Sequence, residues 1–381
     1  MKIKFCSYRE KKVLVLYKKK EWNLIAITGG GTGGHIFPNI SIIGELKKRG
    51  YTNIFWIGEK RGKEKAWSER IHVPFYGIKT GKLRRYFSFK NFIDVFFVLI
   101  GVIQSFFLFL KMKPELLFSK GGFVAVPPVL AAWLLRIPVI THESDITPGL
   151  ATRIISRFAS VICVSFEKTT KHYSKKRVVF TGNPVRDIFK RGDRKSGLSF
   201  LKFKQELPIV LVIGGSLGAS SINRAVWQMN RKYDPPFNLV HQCGAGNFRR
   251  DIPLKGKYRQ FEFISEEIGD VLAASDIVVS RAGAGALYES GYLKKPSILI
   301  PLPKSKSRGE QIENARYFAE NGASVVIYDE DLNEDVLFKT INRLLADRVN
   351  LKMIGERAET LCKTDAEKSI CDIIESLAIK K

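Results

Sequence analysis

The stretch with the clearest chemical potential is residues 24–38, which read LIAITGGGTGGHIFP. An apolar run typical of a buried strand leads into five glycines, and His35 follows directly: Gly29, Gly30, Gly31, Gly33 and Gly34. A strand that passes through glycines into a helix presents unpaired backbone N–H groups, and the helix dipole adds partial positive charge. The stretch therefore predicts a phosphate-binding turn beside a titratable histidine. A tight strand-to-helix turn without a ligand is the alternative.

The turn does not match the common nucleotide motifs. GGGTGG differs from GxGxxG, and Glu59 is only a faint match for the acidic residue that ends the next strand. GxxxxGK[ST] is absent, which argues against a P-loop ATPase. No suitably placed DxD-type carboxylate pair occurs, and the five cysteines are scattered without a CxxC pair. We therefore expect no metal, no cofactor and a reducing compartment.

The composition is that of a globular protein with a large positive charge. The chain has 381 residues, of which 45% are hydrophobic and 26% charged, and its formal net charge is +26. This length allows two domains with separate cores. The charge favours a polyanionic partner; a lysine-rich proteome is the alternative, because the lysines are spread along the chain. None of the usual nucleic-acid-binding motifs is present, so we expect no nucleic-acid partner.

Apolar runs that end at glycine alternate with helical patterns. Strands are predicted at 24–28, 54–58, 116–119, 138–142, 161–165 and 178–182, and a helix at 37–50. This alternation predicts a parallel sheet covered on both faces by helices. The pattern restarts at 208–229, and LLFSKGGFVAVPPVLAAWLLRIPVI (116–140) is echoed by IVVSRAGAGALYESGYLKKPSILI (277–300). The fold class is thus α/β, with two Rossmann-like domains facing across a cleft and a polar linker at 182–197.

One apolar segment raises the question of a membrane. Residues 95–110 read VFFVLIGVIQSFFLFL, and extension back to Phe92 includes Asp94. Spanning a bilayer takes about 20 apolar residues. Three interpretations remain open at this stage: a helix that is buried or lies at an interface, a plain core helix, and a true membrane span.

The order of five motifs resembles the GT-B enzymes of glycosyltransferase family 28, the peptidoglycan transferases. The motifs are GGGTGGHIFP, SKGGFVAVPPVLAAWLLRIPVITHE, GNPVR, GGSLGASSIN and QIENA, and the resemblance covers about residues 23–375. It implies an inverting transfer of N-acetylglucosamine from UDP-GlcNAc to lipid I, the undecaprenyl-diphosphate-linked muramyl pentapeptide, which gives lipid II. It also implies a peripheral enzyme on the cytoplasmic face of the cell membrane.

The resemblance assigns a donor site. Thr32, Gly33 and Gly34 would lie at the donor–acceptor junction, and Ser216, with Gly214 and Gly215, at the donor diphosphate. Glu289 would accept the ribose hydroxyls, which suits the two oxygens of a carboxylate. The remaining donor-site residues implied are Arg186 near the UDP, Ile264 at the uracil, Ala284, Gly285, Ala286, Leu287, Tyr288, and Gln311 at the sugar hydroxyls, with Asn314 one turn further on. A solvated linker arginine is the alternative for Arg186, and a helix-dipole charge for Glu289.

His35 is the candidate general base for the muramyl hydroxyl. Histidine titrates near neutral pH, and a helix N-terminus keeps it unprotonated. A neutral histidine that only hydrogen-bonds substrate, or only packs, is the alternative. Glu143, in the His-Glu pair that ends another strand, could share the role. Asp145 stands where the family usually has asparagine, so either it takes a different partner or the contact is lost.

The expected domains are an N-terminal tail (1–22), an acceptor and membrane domain (23–186), and a UDP-GlcNAc domain (187–381) whose last helix returns to the first domain. Basic residues precede the apolar segment and suit an anionic membrane surface: Lys79, Lys82, Arg84, Arg85 and Lys90. Two rival functions remain. One is a GT-B transferase acting on another membrane lipid such as diacylglycerol. The other is a non-catalytic protein that binds a nucleotide sugar or nucleic acid.

Overall fold

A computed structural model describes residues 24–81, 89–173, 177–215, 217–252 and 257–378, with the backbone alone for 89–93 and 378. The expected tail 1–22 therefore lies outside the described residues, as do Ser216, Lys82, Arg84, Arg85 and the side chain of Lys90. Within the described ranges, two parallel sheets are built from separate halves of the chain.

The first sheet has seven strands in the order β3-β2-β1-β4-β5-β6-β7. These are β1 (Ile25–Thr28), β2 (Ile54–Glu59), β3 (Phe75–Ile78), β4 (Leu116–Ser119), β5 (Val139–Glu143), β6 (Val161–Val164) and β7 (Val178–Phe180). Its helices are α1 (Gly33–Lys48), α2 (Glu64–Arg70), α3 (Phe89–Met112), α4 (Val126–Leu134) and α5 (Leu150–Ile155). The strand order reverses between β1 and β4, so a crevice is expected at their carboxyl ends.

The second sheet repeats this topology with six strands, in the order β10-β9-β8-β11-β12-β13. The strands are β8 (Ile209–Ile213), β9 (Asn238–Gln242), β10 (Tyr258–Phe261), β11 (Ile277–Ser280), β12 (Ser297–Leu299) and β13 (Val325–Val326). The helices after β7 are α6 (Asp187–Lys190), α7 (Arg194–Leu201), α8 (Ser220–Lys232), α9 (Ile268–Ala274), α10 (Ala284–Tyr292), α11 (Glu310–Glu320), α12 (Glu334–Ala346), α13 (Arg348–Leu361) and α14 (Ala366–Ala378). The reversal here lies between β8 and β11. The prediction of two Rossmann-like domains is confirmed.

The last helix, α14, packs against the first domain rather than the second. Ile370 and Ile374 are fully buried in one cluster with Ile42 and Ile43 of α1. Arg49, directly after α1, donates to Asp372 over 2.7 Å and so holds the outer face of α14. The chain thus crosses between the two lobes twice, although the domain limit at residue 186 stays a prediction.

The glycine turn after β1 is built around a buried carboxylate. Glu64 accepts hydrogen bonds from the backbone N–H of Gly31 (3.1 Å) and of Glu59 (2.8 Å). A Cβ on Gly30 would collide with the Glu64 carboxyl group. Gly31 also has a φ of +82°, which favours glycine. Packing alone therefore accounts for the glycines in the first half of the turn.

Helix α1 begins four residues earlier than the sequence predicted, at Gly33 rather than residue 37, and ends at Lys48 rather than residue 50. The first-turn N–H groups have no partners inside a helix, so weak helix formers are tolerated there. As a result, His35 lies within the first turn of α1 and not before it.

Helix α3 packs one face on α4 and exposes the other. Ser105 and Phe109 are buried, whereas Phe96, Leu99, Ile103 and Phe107 are each more than half exposed. This distribution rules out the plain core helix among the three interpretations. Residues Asp94–Met112 are, by length and composition, able to cross a membrane.

We expect Gly30→Ala to lower stability by about 1–3 kcal/mol, because the added methyl overpacks the Glu64 cavity. Thermal unfolding measures this, at about 2–4 °C per kcal/mol for a protein of this size class. Gly34→Ala is the matched control, since its Cβ would meet no atom closer than 3.9 Å. Equal melting temperatures for the two variants would contradict the packing role of Gly30.

Candidate active site

The first turn of α1 faces the carboxyl edge of the first sheet. Thr32 occupies the N-cap position with an extended backbone, and its side chain makes no capping hydrogen bond. Thr32, Gly33 and Gly34 are exposed, so the free N–H groups of this turn are open to a ligand. The second half of the glycine turn, unlike the first, is therefore shaped for an anion.

His35 is held by the loop that follows β4. Its Nδ1 lies 3.2 Å from the carbonyl oxygen of Lys120. A carbonyl only accepts, so Nδ1 carries the proton and Nε2 keeps a free lone pair. Burial, followed by the charge of Lys120, lowers the pKa of His35 to about 4. The unprotonated state expected from the sequence is thus favoured mainly by desolvation.

Glu143 anchors the loop of residues 144–149. Its two carboxylate oxygens accept the backbone N–H groups of Asp145 (3.0 Å) and Gly149 (3.3 Å). The side chain is almost fully buried. Because both oxygens are engaged, this geometry suits a role in ordering the loop better than a shared role as base.

Asp145 takes a different partner, which is the first of the two alternatives left open by the sequence analysis. Its Oδ2 accepts from Arg308 at 3.0 Å, and its Oδ1 accepts from the Asn314 amide at 3.1 Å. Both partners belong to the second domain, and the Asn314 oxygen also accepts the N–H of Ile146. Burial and the nearby Glu143 raise the pKa of Asp145. Asp145 therefore forms an ion pair across the cleft.

A second contact at the cleft joins Arg186, in the linker directly before α6, to Glu289 of α10. The Arg186 Nε donates to Glu289 Oε1 over 2.9 Å. The guanidinium carbon also lies 4.5 Å from the ring centroids of Phe37 in α1 and Phe189 in α6. Burial raises the pKa of Glu289, and Arg186 opposes that shift. The early turns of α1 and α10 therefore meet across one arginine side chain.

The remaining donor-site candidates fall into two groups. Leu287 and Tyr288 are buried in the core, and the Tyr288 hydroxyl donates to the carbonyl of Ser165 in the other domain. Ala284, Gly285 and Ala286 form the first turn of α10, where N–H groups are free and a Cβ on Gly285 would meet nothing within 4 Å. Within α10, the parts suited to a ligand are therefore the backbone of this turn and the Glu289 side chain.

Gln311 and Ile264 have partners within the second domain. The Gln311 Oε1 accepts from the N–H of Leu302 at 3.1 Å, which leaves its amide NH₂ as the donor for a sugar. The N–H of Ile264 donates to Gln242 Oε1 at 2.9 Å, so a uracil would compete with that side chain. Gly214 and Gly215 follow β8, and Gly215 has a φ of +99°.

Two basic residues at the site were missed from the sequence. Arg308 pairs with Asp145, and Lys120 is buried under the glycine turn. The repeated pattern contained a signal for Lys120, because Ser119-Lys120 and Ser280-Arg281 stand at matching strand ends. Arg308 carried no comparable signal, since it lies on an irregular loop before α11.

Two parallel-sheet lobes, with free helix N-termini meeting at their facing edges, define a GT-B type transferase. A glycosyltransferase family 28 N-terminal domain matches residues 25–164, and the C-terminal domain of that family matches residues 209–370. The chain belongs to glycosyltransferase family 28.

Named relatives resemble this chain over nearly its whole length. A UDP-N-acetylglucosamine–N-acetylmuramyl-(pentapeptide) pyrophosphoryl-undecaprenol N-acetylglucosamine transferase 2 of Bacillus cereus is 43% identical, covering 93% of this chain and 99% of that protein. The corresponding transferase of Legionella pneumophila is 47% identical, over 88% of this chain and 93% of its own. The crystal structure of Acinetobacter baumannii MurG superposes with a TM-score of 0.74 at 24% identity, covering 93% of this chain and 99% of that one.

The ion pair between Asp145 and Arg308 can be tested by a double-mutant cycle. We expect Asp145→Ala and Arg308→Ala each to lower the melting temperature. The double variant should melt no lower than the less stable of the two single variants. Both changes remove the same contact, so their effects are not additive. Arg316→Ala, which breaks only an exposed pair on α11, is the control and should change little. Additive losses would mean that the two residues act separately.

Proposed function

We propose that this enzyme transfers N-acetylglucosamine from UDP-GlcNAc to the muramyl sugar of lipid I, with inversion, to give lipid II. The observation that carries the proposal is the meeting of α1 and α10 across Arg186, with His35 on one side and Glu289 on the other. This places an anion-binding helix end of each domain beside a candidate base and a candidate diol acceptor. The donor, the acceptor and the enzyme residues suffice for this chemistry without a metal or cofactor.

The donor half would act on the leaving UDP. The first turns of α8 and α10 supply N–H groups for the diphosphate, and Ser216, Gly214 and Gly215 lie just before α8 in the sequence. Such fixed donors stabilise the charge that develops as the sugar–phosphate bond breaks. Glu289 accepts the ribose hydroxyls, while Arg186 stays beside it as the counter-charge.

The acceptor half would supply the nucleophile. The Nε2 of His35 takes the proton of the muramyl hydroxyl as its oxygen attacks the anomeric carbon. Inversion requires attack from the side opposite the leaving group. The base on α1 and the diphosphate site on α8 and α10 belong to facing domains. They can therefore lie on opposite sides of the anomeric carbon.

The lipid tail of the acceptor requires a membrane surface, and α3 provides an apolar one. The exposed stripe Phe96, Leu99, Ile103 and Phe107 continues onto Trp133 and Leu134, which are more than half exposed on α4. Lys79 lies beside this surface, with its Nζ 5.7 Å from the Phe97 ring centroid. Such an arrangement suits peripheral docking on the anionic cytoplasmic face of the membrane.

We expect Glu289→Ala to weaken UDP binding by about 1–3 kcal/mol, because the ribose hydroxyls lose their acceptor and Arg186 loses its carboxylate. Isothermal calorimetry measures the change. Glu320→Ala, at the exposed end of α11, is the control and should bind UDP normally. If Glu289→Ala binds UDP with unchanged affinity, Glu289 has only a structural role as the partner of Arg186.

Membrane docking is tested by Phe96→Glu combined with Phe107→Glu. Each change removes an apolar side chain worth roughly 1.5–3 kcal/mol on burial, so vesicle binding should fall more than about tenfold. The assay is co-sedimentation with vesicles containing phosphatidylglycerol. Leu198→Glu, an exposed leucine on α7 of the second domain, is the matched control. Equal sedimentation of both variants would contradict docking through α3.

The deciding experiment is a radiolabel transfer assay with UDP-GlcNAc and a lipid I analogue, run in EDTA. Transfer to the muramyl lipid supports the proposal, and UDP-glucose should serve poorly as donor. Transfer only to diacylglycerol would identify the rival lipid transferase. Binding of UDP-GlcNAc without turnover would indicate a non-catalytic protein, and loss of activity in EDTA with restoration by Mg²⁺ would contradict metal-free transfer.

A further inference from the structure

Lys120 is a buried basic residue to which the proposed chemistry gives no role. It follows β4 at the reversal point of the first sheet, and only 1% of its surface is exposed. Its Nζ donates to the Ser144 hydroxyl, which in turn donates to Asn183 Oδ1 at 3.1 Å. Within the described ranges, no carboxylate lies at ion-pair distance from this ammonium group. A buried cation whose direct hydrogen bond goes to a neutral hydroxyl is costly, and the more distant Glu143 and Asp145 offset that cost in part.

The backbone and the side chain of Lys120 both act on His35. The Lys120 carbonyl accepts the Nδ1–H of His35, and the Lys120 charge is the second cause, after burial, that opposes protonation of the imidazole. Gly122, with a φ of +80°, has no Cβ, and so the Nε2 edge of the ring can lie close to this loop. The same loop therefore fixes the position, the tautomer and the charge of one histidine.

We propose that Lys120 is a positioning residue for His35: its carbonyl leaves Nε2 free of a proton, and its buried ammonium keeps the imidazole uncharged until an anionic acceptor binds. The last part rests on the proposed function, because it is the acceptor diphosphate that brings negative charge to the first turn of α1. That charge offsets the ammonium and makes the imidazole a better proton acceptor when the substrate is present. The pKa of His35 is then low in the free enzyme, where the imidazole is unprotonated, and higher in the complex with the acceptor.

Other charged groups around this pair do not replace Lys120. Burial lowers the pKa of Lys120, and Glu143 and Asp145 oppose that shift, which leaves the pKa at about 8. The charge of Arg308, from the second domain, also lowers the pKa of His35, but its effect is smaller than that of the Lys120 charge. The titratable and charged groups facing the pair are His142 and Glu143 on β5, Asp145 on the following loop, Cys163 on β6, and Arg308.

The test is an NMR titration of the imidazole nitrogens in the full-length free protein, with His35→Gln to assign the signal. In the wild type we expect an Nδ1–H tautomer and a pKa well below 6.5. Lys120→Met keeps the carbonyl but removes the charge, and should raise the pKa of His35 by about one unit. Lys120→Arg keeps the charge and should leave the pKa low. Lys120→Gln, which can still donate to Ser144, replaces Lys120→Met if that variant does not fold.

These outcomes separate the proposal from the proposed function. An Nε2–H tautomer or an ordinary pKa in the wild type would overturn the assignment without any variant. An unchanged His35 pKa in a folded, uncharged Lys120 variant would overturn it too. Where wild-type transfer to lipid I is observed, the acid limb of kcat should lie at higher pH than the His35 titration of the free enzyme. If the acid limb of kcat coincides with the His35 titration of the free enzyme, the proposed rise in the His35 pKa on acceptor binding is wrong. Absence of transfer would instead overturn the proposed function and leave the NMR result standing.

Discussion

The site depends on how the buried carboxylate of Glu64 holds the glycine turn. Three glycines make room for the fully buried Glu64 side chain, because a Cβ on Gly30, Gly58 or Gly62 would collide with it. Its hydrogen bonds to the N–H groups of Gly31 and Glu59 fix the path from β1 into α1. The direction of α1, the orientation of its free N–H groups and the position of His35 all follow from that path. Glycine is required in the first half of the turn for packing and in the second half for access.

Charged contacts hold the two domains together at the cleft. Asp145 binds Arg308 and Asn314 across the gap between the lobes, and Arg186, in the linker, contacts both Glu289 of α10 and Phe37 of α1. Each pair is partly exposed, so each supplies modest stability while remaining accessible to a competing ligand. In the proposed donor complex, a UDP ribose on Glu289 would share that carboxylate with Arg186. Under that proposal, donor binding would act on a side chain that also contacts α1.

Much of the fold was accessible from the sequence because its signals are local. Apolar runs placed six of the seven strands of the first sheet to within a few residues, since a buried strand needs a continuous apolar stretch, but β3 was not predicted. The start of α1 was missed because the first turn of a helix tolerates glycine. The partners of Asp145 could not be predicted, because Arg308 is 163 residues away and only tertiary packing joins them. For the same reason the sequence could name Arg186 and Glu289 separately but not as a pair.

The two halves of the molecule use one matching strand-end position in different ways. Lys120 follows β4 and Arg281 follows β11, at matching points of two sheets with the same strand order. Arg281 is neutralised by Asp329 over 2.6 Å and also donates to Ser221 in the first turn of α8. It therefore joins the elements of the donor domain without presenting free charge. Among the described residues, Lys120 hydrogen-bonds to the Ser144 hydroxyl and has no carboxylate at ion-pair distance, although Glu143 and Asp145 are close enough to favour its charged form. The same strand-end residue stabilises structure in one domain and, through His35, is placed to influence chemistry in the other.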